Sequence, residues 1–150
     1  MTNIPSITID DGVKRVCING DPARVISFNP SDVVFAEKFY ALMTDFRAKQ
    51  IDYERRAKKL DEIAKTLDES GLPVNMSDGL AFLREICEYL RGKIDGLFGS
   101  GSSQIIFGDA MTLDMFAQFF AGITPFFENA REEKMLKYLN QKNAGKVMGE

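Results

Sequence analysis

Residues 29–70, NPSDVVFAEKFYALMTDFRAKQIDYERRAKKLDEIAKTLDES, limit what this chain can fold into more than any other stretch. Phe39, Leu42, Phe46, Tyr53, Leu60, Ile63 and Leu67 recur three, four or seven residues apart, the spacing of one face of an α-helix. One long amphipathic helix is therefore predicted. Asn29 can cap its first turn, Pro30 suits the first helical position and Asp32 suits the positive end of the helix dipole. Gly71 and Pro73 mark its end. Such a helix would run about 60 Å, far beyond the radius of gyration of about 15 Å expected for a compact chain of this size. Part of it must project, break or pair. Lys49 and Arg56 interrupt the apolar seam, and Arg55, Arg56, Lys58 and Lys59 form a candidate basic patch, so a pure two-stranded coiled coil is not favoured.

Composition narrows the chemistry. With 45% hydrophobic and 27% charged residues in 150, the chain reads as one soluble domain, residues 1–150, large enough to bury a core. A net charge of −3 speaks against nucleic acid and against an anionic membrane. No apolar run reaches transmembrane length and the N-terminus lacks the pattern of a secretion signal, so a cytoplasmic location is expected. There is no histidine, which removes Ser-His and Cys-His nucleophile pairs and imidazole acid–base chemistry. Cys17 and Cys87 are too few for a disulfide framework or a zinc cluster. No catalytic residue, cofactor or metal site is assigned, and a non-enzymatic protein is expected.

Toward the N-terminus, residues 6–10 and 13–20 alternate in polarity around Asp11-Gly12, a dipeptide suited to a hairpin turn. Asn19-Gly20 is a second turn signal, and residues 23–28 can add a strand. The prediction is an α+β fold, predominantly helical: a β-hairpin or three-stranded meander over 1–28, then four helices over 29–141, then a mobile tail over 142–150. A second helix, about 77–98 and capped by Ser77 or Asn75, buries Leu83, Ile86, Cys87, Leu90, Ile94 and Leu97. Gly92 and Gly96 within it point to close packing or early fraying.

The loop GSGSS at 99–103 is rich in amides but lacks the Lys-Ser/Thr ending of a phosphate loop, and a plain connection is the better reading. Asp109 and Asp114 are weak metal candidates, since Asp114 is explained as a first-turn acid of a helix capped by Thr112. In that helix Phe116, Phe119, Phe120, Phe126 and Phe127 crowd one short span. Pro125 is expected to break it, with Thr124 capping a final helix over 125–141. So many rings are either core or an exposed partner surface. Phe39, Phe46, Tyr53, Phe116, Phe119, Phe120, Phe126 and Phe127 are therefore the candidate partner-binding residues.

The segment LRGKIDGLFGSGSSQIIFGDAMTLDMFAQFFAGITPFFENAREEKMLKY, with SFNPSDVVFAEKFYALM before it, resembles tail assembly chaperone-like proteins from the tail-morphogenesis region of siphophages and prophages of Gram-positive bacteria. The similarity covers residues 24–140 and consists of packing patterns and a glycine loop. It implies a helical, self-associating protein that escorts the tape-measure or another tail protein in the host cytoplasm while the tail tube grows. Met43, Met111, Met115 and Met135 would suit an adaptable binding surface of that kind. A structural virion protein, such as a tail completion or connector subunit, is the alternative. Behind it stand a nucleic-acid-binding or host-defence-modulating protein that uses the basic patch, and last an enzyme working through carboxylates or lysines.

Overall fold

Two residues with positive φ, Asn19 at 54° and Gly20 at 70°, make the first tight reversal of the chain. They join strand β1 (Lys14–Ile18) to strand β2 (Asp21–Phe28) in an antiparallel hairpin, the reversal that matches the right-handed twist of paired strands. In the register Val16 faces Ile26 and Lys14 faces Phe28, with an irregularity between Cys17 and Ile18. A computed structural model describes residues 3–129 of the chain; the final helix expected over 125–141 lies outside the described residues beyond 129, as does the tail over 142–150.

The sheet has two strands, and the three-stranded alternative is not borne out. Residues 6–10 stay outside it because the Asp11-Gly12 turn is diverted. Asp10 accepts from the Gly12 amide at 2.9 Å, Asp11 accepts from the Val13 amide at 3.0 Å, and the Asn29 side-chain amide donates to the Asp11 carbonyl. The Val13 amide, which a two-residue hairpin over Asp11-Gly12 would pair with Asp10, is thereby taken.

Helix α1 (Val33–Ala64) follows, about 48 Å long at 1.5 Å per residue. Its cap is Asp32, whose carboxylate accepts from Val34 at 3.0 Å, and not Asn29, whose side chain is occupied by Ser31 and Asp11. It ends six residues before Ser70 because residues 66–74 close on themselves: Val74 donates to Thr66, Asp68 to Leu72, and the Asp68 carboxylate accepts from Ser70 and Leu72. Leu67 therefore leaves the predicted seam, and Ile63 is exposed.

Helix α2 (Met76–Phe98) runs back along α1. Asn75 precedes it without capping it; its side-chain amide donates to the Leu60 carbonyl at 3.0 Å and ties the two helices together. The buried face is Phe82, Ile86, Cys87, Leu90 and Ile94, with Phe82 in the place predicted for Leu83. The basic residues in the α1 seam also face α2. Lys49 lies 4.9 Å from the Tyr89 ring, and Arg56 lies 4.8 Å from the Phe82 ring and pairs with Glu85.

Close packing at Gly92 and Gly96 is corrected, since a Cβ at either would meet nothing within 4 Å. Both glycines are exposed in a helix, where alanine fixes the backbone at lower entropic cost. Gly92→Ala and Gly96→Ala should each stabilise the protein by about 0.5–1 kcal/mol, read as a higher urea midpoint at unchanged slope.

Helix α3 (Ser102–Phe107) was not foreseen, being too short to show a period. Its first turn is held by Asp95 of α2, whose carboxylate accepts from the Ser103 amide at 2.7 Å and the Ser103 hydroxyl at 3.0 Å. Arg24 of β2 donates to the carbonyls of Ile105 and Ile106 at its other end, at 2.9 and 2.6 Å. Helix α4 occupies 113–129, begins under Thr112 as predicted, and passes through Pro125 without ending there. Thr124 does not cap a new helix; its hydroxyl donates back to the Phe120 carbonyl at 2.6 Å.

The core concentrates where β2, α3, α4, the start of α1 and the end of α2 meet. Phe28 is its hub, with ring centroids 5.7 Å from Phe98, 5.7 Å from Phe126, 6.0 Å from Phe127 and 6.1 Å from Phe35. Phe127 stacks on Phe39 at 4.2 Å, and Phe107 meets Phe116 at 4.4 Å. At the opposite end, α1 and α2 meet through Tyr53 on Phe82, Arg56 on Glu85 and Asn75 on Leu60.

Candidate functional site

The loop end of the α1–α2 pair carries an unusual amount of apolar surface. Ile63, Leu67, Leu72, Val74, Met76, Leu80 and Leu83 are all exposed there, Leu80 to 59% and Leu67 to 57%. Between them opens a cleft of about 270 Å³ lined by Ala57, Leu60 and Ala64 of α1 and by Pro73, Met76, Gly79, Leu80 and Leu83 of α2 and the turn before it. Ala57, Ala64 and Gly79 leave this space because their side chains are too short to fill it. Its walls are apolar and its rim is charged, with Asp61 on one side and Arg56, Lys59, Asp78 and Glu85 along an adjoining hollow. A contiguous apolar opening of this kind, rimmed by charge of both signs, suits a peptide with one greasy face.

Electrostatics at this end is local. The Arg56 guanidinium, bonded to both Glu85 oxygens, holds the Glu85 carboxyl below its ordinary range, and the same hydrogen bond raises Arg56. Burial, with Glu85 adding to it, raises the Tyr53 hydroxyl. Burial likewise pushes up the Cys87 thiol in the core, whereas Cys17 is exposed.

The predicted partner residues divide. Tyr53, 7% exposed, and Phe116, 3% exposed, are core residues and offer no free surface, a correction to the reading of both as partner contacts. Each is covered because helices pack on its ring: Tyr53 lies between Phe82 and Tyr89, and Phe116 lies on Phe107. Phe39, Phe46, Phe119, Phe120, Phe126 and Phe127 are half-buried against the same core.

The basic patch is divided as well. Arg56 is spent on Glu85 and Phe82, Arg55 pairs with Asp52, and Lys58 and Lys59 stand exposed without an ion pair among the described residues. Asp109 accepts from Gln104 at 2.8 Å, and among the described residues no group of three or more acidic or cysteine side chains is gathered to hold a metal. At the GSGSS loop, Asp95 occupies the position that an anion would take at the Ser103 amide.

Sequence reasoning missed the exposed apolar residues of both helices. Val33, Tyr40 and Ile51 are 58%, 74% and 75% exposed, and their spacing puts them on one outward stripe of α1. The signal was present as apolar residues falling off the buried period. No helix among the described residues is long and apolar enough to cross a membrane.

Comparison with known proteins finds one family, described as a family of unknown function (DUF6673), whose pattern matches residues 24–148. No match is found among curated proteins or among solved structures. The match spans most of the chain, from β2 onward, and the chain belongs to the DUF6673 family.

Proposed function

We propose that this protein is a non-catalytic binding protein of the cytoplasm that shelters the apolar face of a helical client, in the manner of a phage tail assembly chaperone acting on its tape-measure protein. The observation that carries the reading is the cleft at the loop end of α1 and α2, with Leu80 and Leu83 exposed beside it. A client helix laid there would cover leucine, methionine and valine side chains that otherwise face water, and burying such a side chain contributes about 1.5–3 kcal/mol. Met76 at the edge adapts to irregular partners, and the mixed charges of Asp61, Lys59 and Asp78 orient the client without demanding one sequence. The resemblance to tail assembly chaperones supplies the client class, and self-association belongs to the same reading.

Co-expression with a tape-measure protein tests it, followed by pull-down and measurement of the soluble fraction of the client. The wild-type chain should raise that fraction. A variant carrying Leu80→Asp and Leu83→Asp should capture the client about tenfold less or worse, since losing one well-seated anchor costs about 1–2 kcal/mol or more. Its own stability should change little, by about 0.5 kcal/mol per substitution, because both positions are exposed. A client equally insoluble with and without the wild-type chain would defeat the chaperone reading. Equal capture by both chains would remove the cleft from it.

A further inference from the structure

The N-terminal arm and the open edge of β1 fit each other, and the fold keeps them apart within one chain. Residues 3–10 belong to neither helix nor strand, and Ile4, Ile7 and Ile9 are 87%, 88% and 80% exposed. Ile7 and Ile9 alternate with Ser6, Thr8 and Asp10, the pattern of a half-buried strand without its sheet. Beside them is a sheet of only two strands, itself marginal without further pairing. β1 pairs with β2 along one side, which leaves its other side an open edge. Among the described residues, no backbone–backbone hydrogen bond outside the β1–β2 ladder involves residues 3–18.

In this structure β1 pairs with β2 alone, and the arm does not lie on it as a third strand. Its root is held by the Asn29 side chain, which donates to the Asp11 carbonyl. We infer that residues 4–10 of one copy pair as an antiparallel third strand with the β1 edge of a second copy.

Charge and register select this arrangement. With Ile7 opposite Ile18 and Ile9 opposite Val16, the isoleucines extend the apolar face that borders a cleft of about 250 Å³ between the hairpin and α4. In the same register Asp10 falls opposite Arg15 and Asp11 opposite Lys14, so both acids meet bases. A parallel strand would carry the acids past Ile18, away from both cations. The register also sets Thr8 opposite Cys17, an exposed thiol. Strand addition of this kind draws affinity from the main chain and specificity from alternate side chains. It is independent of client binding at the far end of α1 and α2.

The native thiol supplies the test. Chains carrying Thr8→Cys and Cys17→Ser are mixed with wild-type chains bearing a tag of different size, oxidised mildly, and separated without reductant. Directly opposed strand residues lie within disulfide reach, so a mixed dimer joining position 8 of one chain to Cys17 of the other should form, well above the yield of an Asn3→Cys/Cys17→Ser control. In parallel, light scattering on the full chain should report an assembly that deletion of residues 1–10 converts to monomer, with thermal unfolding of the protomer retained. A monomeric full chain, equal yields from Thr8→Cys and the control, or a disulfide formed within single Thr8→Cys chains that keep Cys17 would each overturn the proposal.

Discussion

Phe28→Ala should lower the unfolding free energy by about 3–5 kcal/mol, the range for removing a large aromatic side chain from a core. Phe28 is 4% exposed, and its ring is the common neighbour of Phe35 on α1, Phe98 on α2, and Phe126 and Phe127 on α4. The variant thus loses burial and leaves a void that three helices would have to close together. Small domains are stable by only about 5–15 kcal/mol, so this one change takes a large share. At about 2–4 °C per kcal/mol for a chain of this size, the melting temperature should fall by roughly 6–20 °C. A urea titration with lowered midpoint and unchanged slope would confirm it. Tyr40→Ala is the matched control: its ring is 74% exposed, and the change should stay within about 0.5 kcal/mol.

Arg91→Met comes next, at about 2 kcal/mol. From α2, one guanidinium nitrogen of Arg91 donates to the Gly108 carbonyl and, at 2.8 Å, to the Ala110 carbonyl, and the group lies 5.7 Å from the Phe107 ring. These carbonyls belong to the connection between α3 and α4, which the side chain holds in place. Hydrogen bonds from a charged donor contribute about 1.5–3 kcal/mol, and methionine keeps the aliphatic packing while removing them. The buried Arg91 Nε has no hydrogen-bond partner, a cost that offsets part of the gain and places the net effect in the lower part of that range. Arg24→Met, which removes the bonds to Ile105 and Ile106, should cost less because the Nε bond is exposed. Chemical denaturation of both variants decides the order, and equal costs would show that exposure does not set it.

The long helix was legible because its period is sustained through Phe39, Leu42, Phe46, Tyr53 and Leu60. Its ends were not, because each depends on a side chain whose partner is distant or competes with the helix. Asn29 looked like a cap, but its Oδ1 accepts from Ser31 ahead of the helix and its amide donates to Asp11, and Gly71 looked like a helix stop until the Asp68 carboxylate closed a separate turn around it. The hairpin was legible in kind but not in place. Two turn dipeptides were available, and side-chain bonds from Asp10, Asp11 and Asn29 diverted the first, leaving Asn19-Gly20. Pro125 shows tertiary packing overriding local preference: Phe126 and Phe127, just beyond it, reach Phe28 and Phe39, and those contacts keep the helix continuous where proline alone would end it. The candidate site was hidden by the same logic. Buried apolar residues announce themselves by period, whereas Tyr40, Ile51 and Leu80 are conspicuous only once the covered faces are known.

At the loop end, the Arg56–Glu85 pair and the Asn75 amide on the Leu60 carbonyl tie the two helices together, while the Lys93–Asp45 bond lies further along them. Local opening costs least where buried apolar packing is thinnest, so the loop end opens at lower cost than the phenylalanine cluster. Stiffness therefore grades along the molecule from a locked base to a yielding rim, and the rim can re-form around strands of differing girth without melting what supports it.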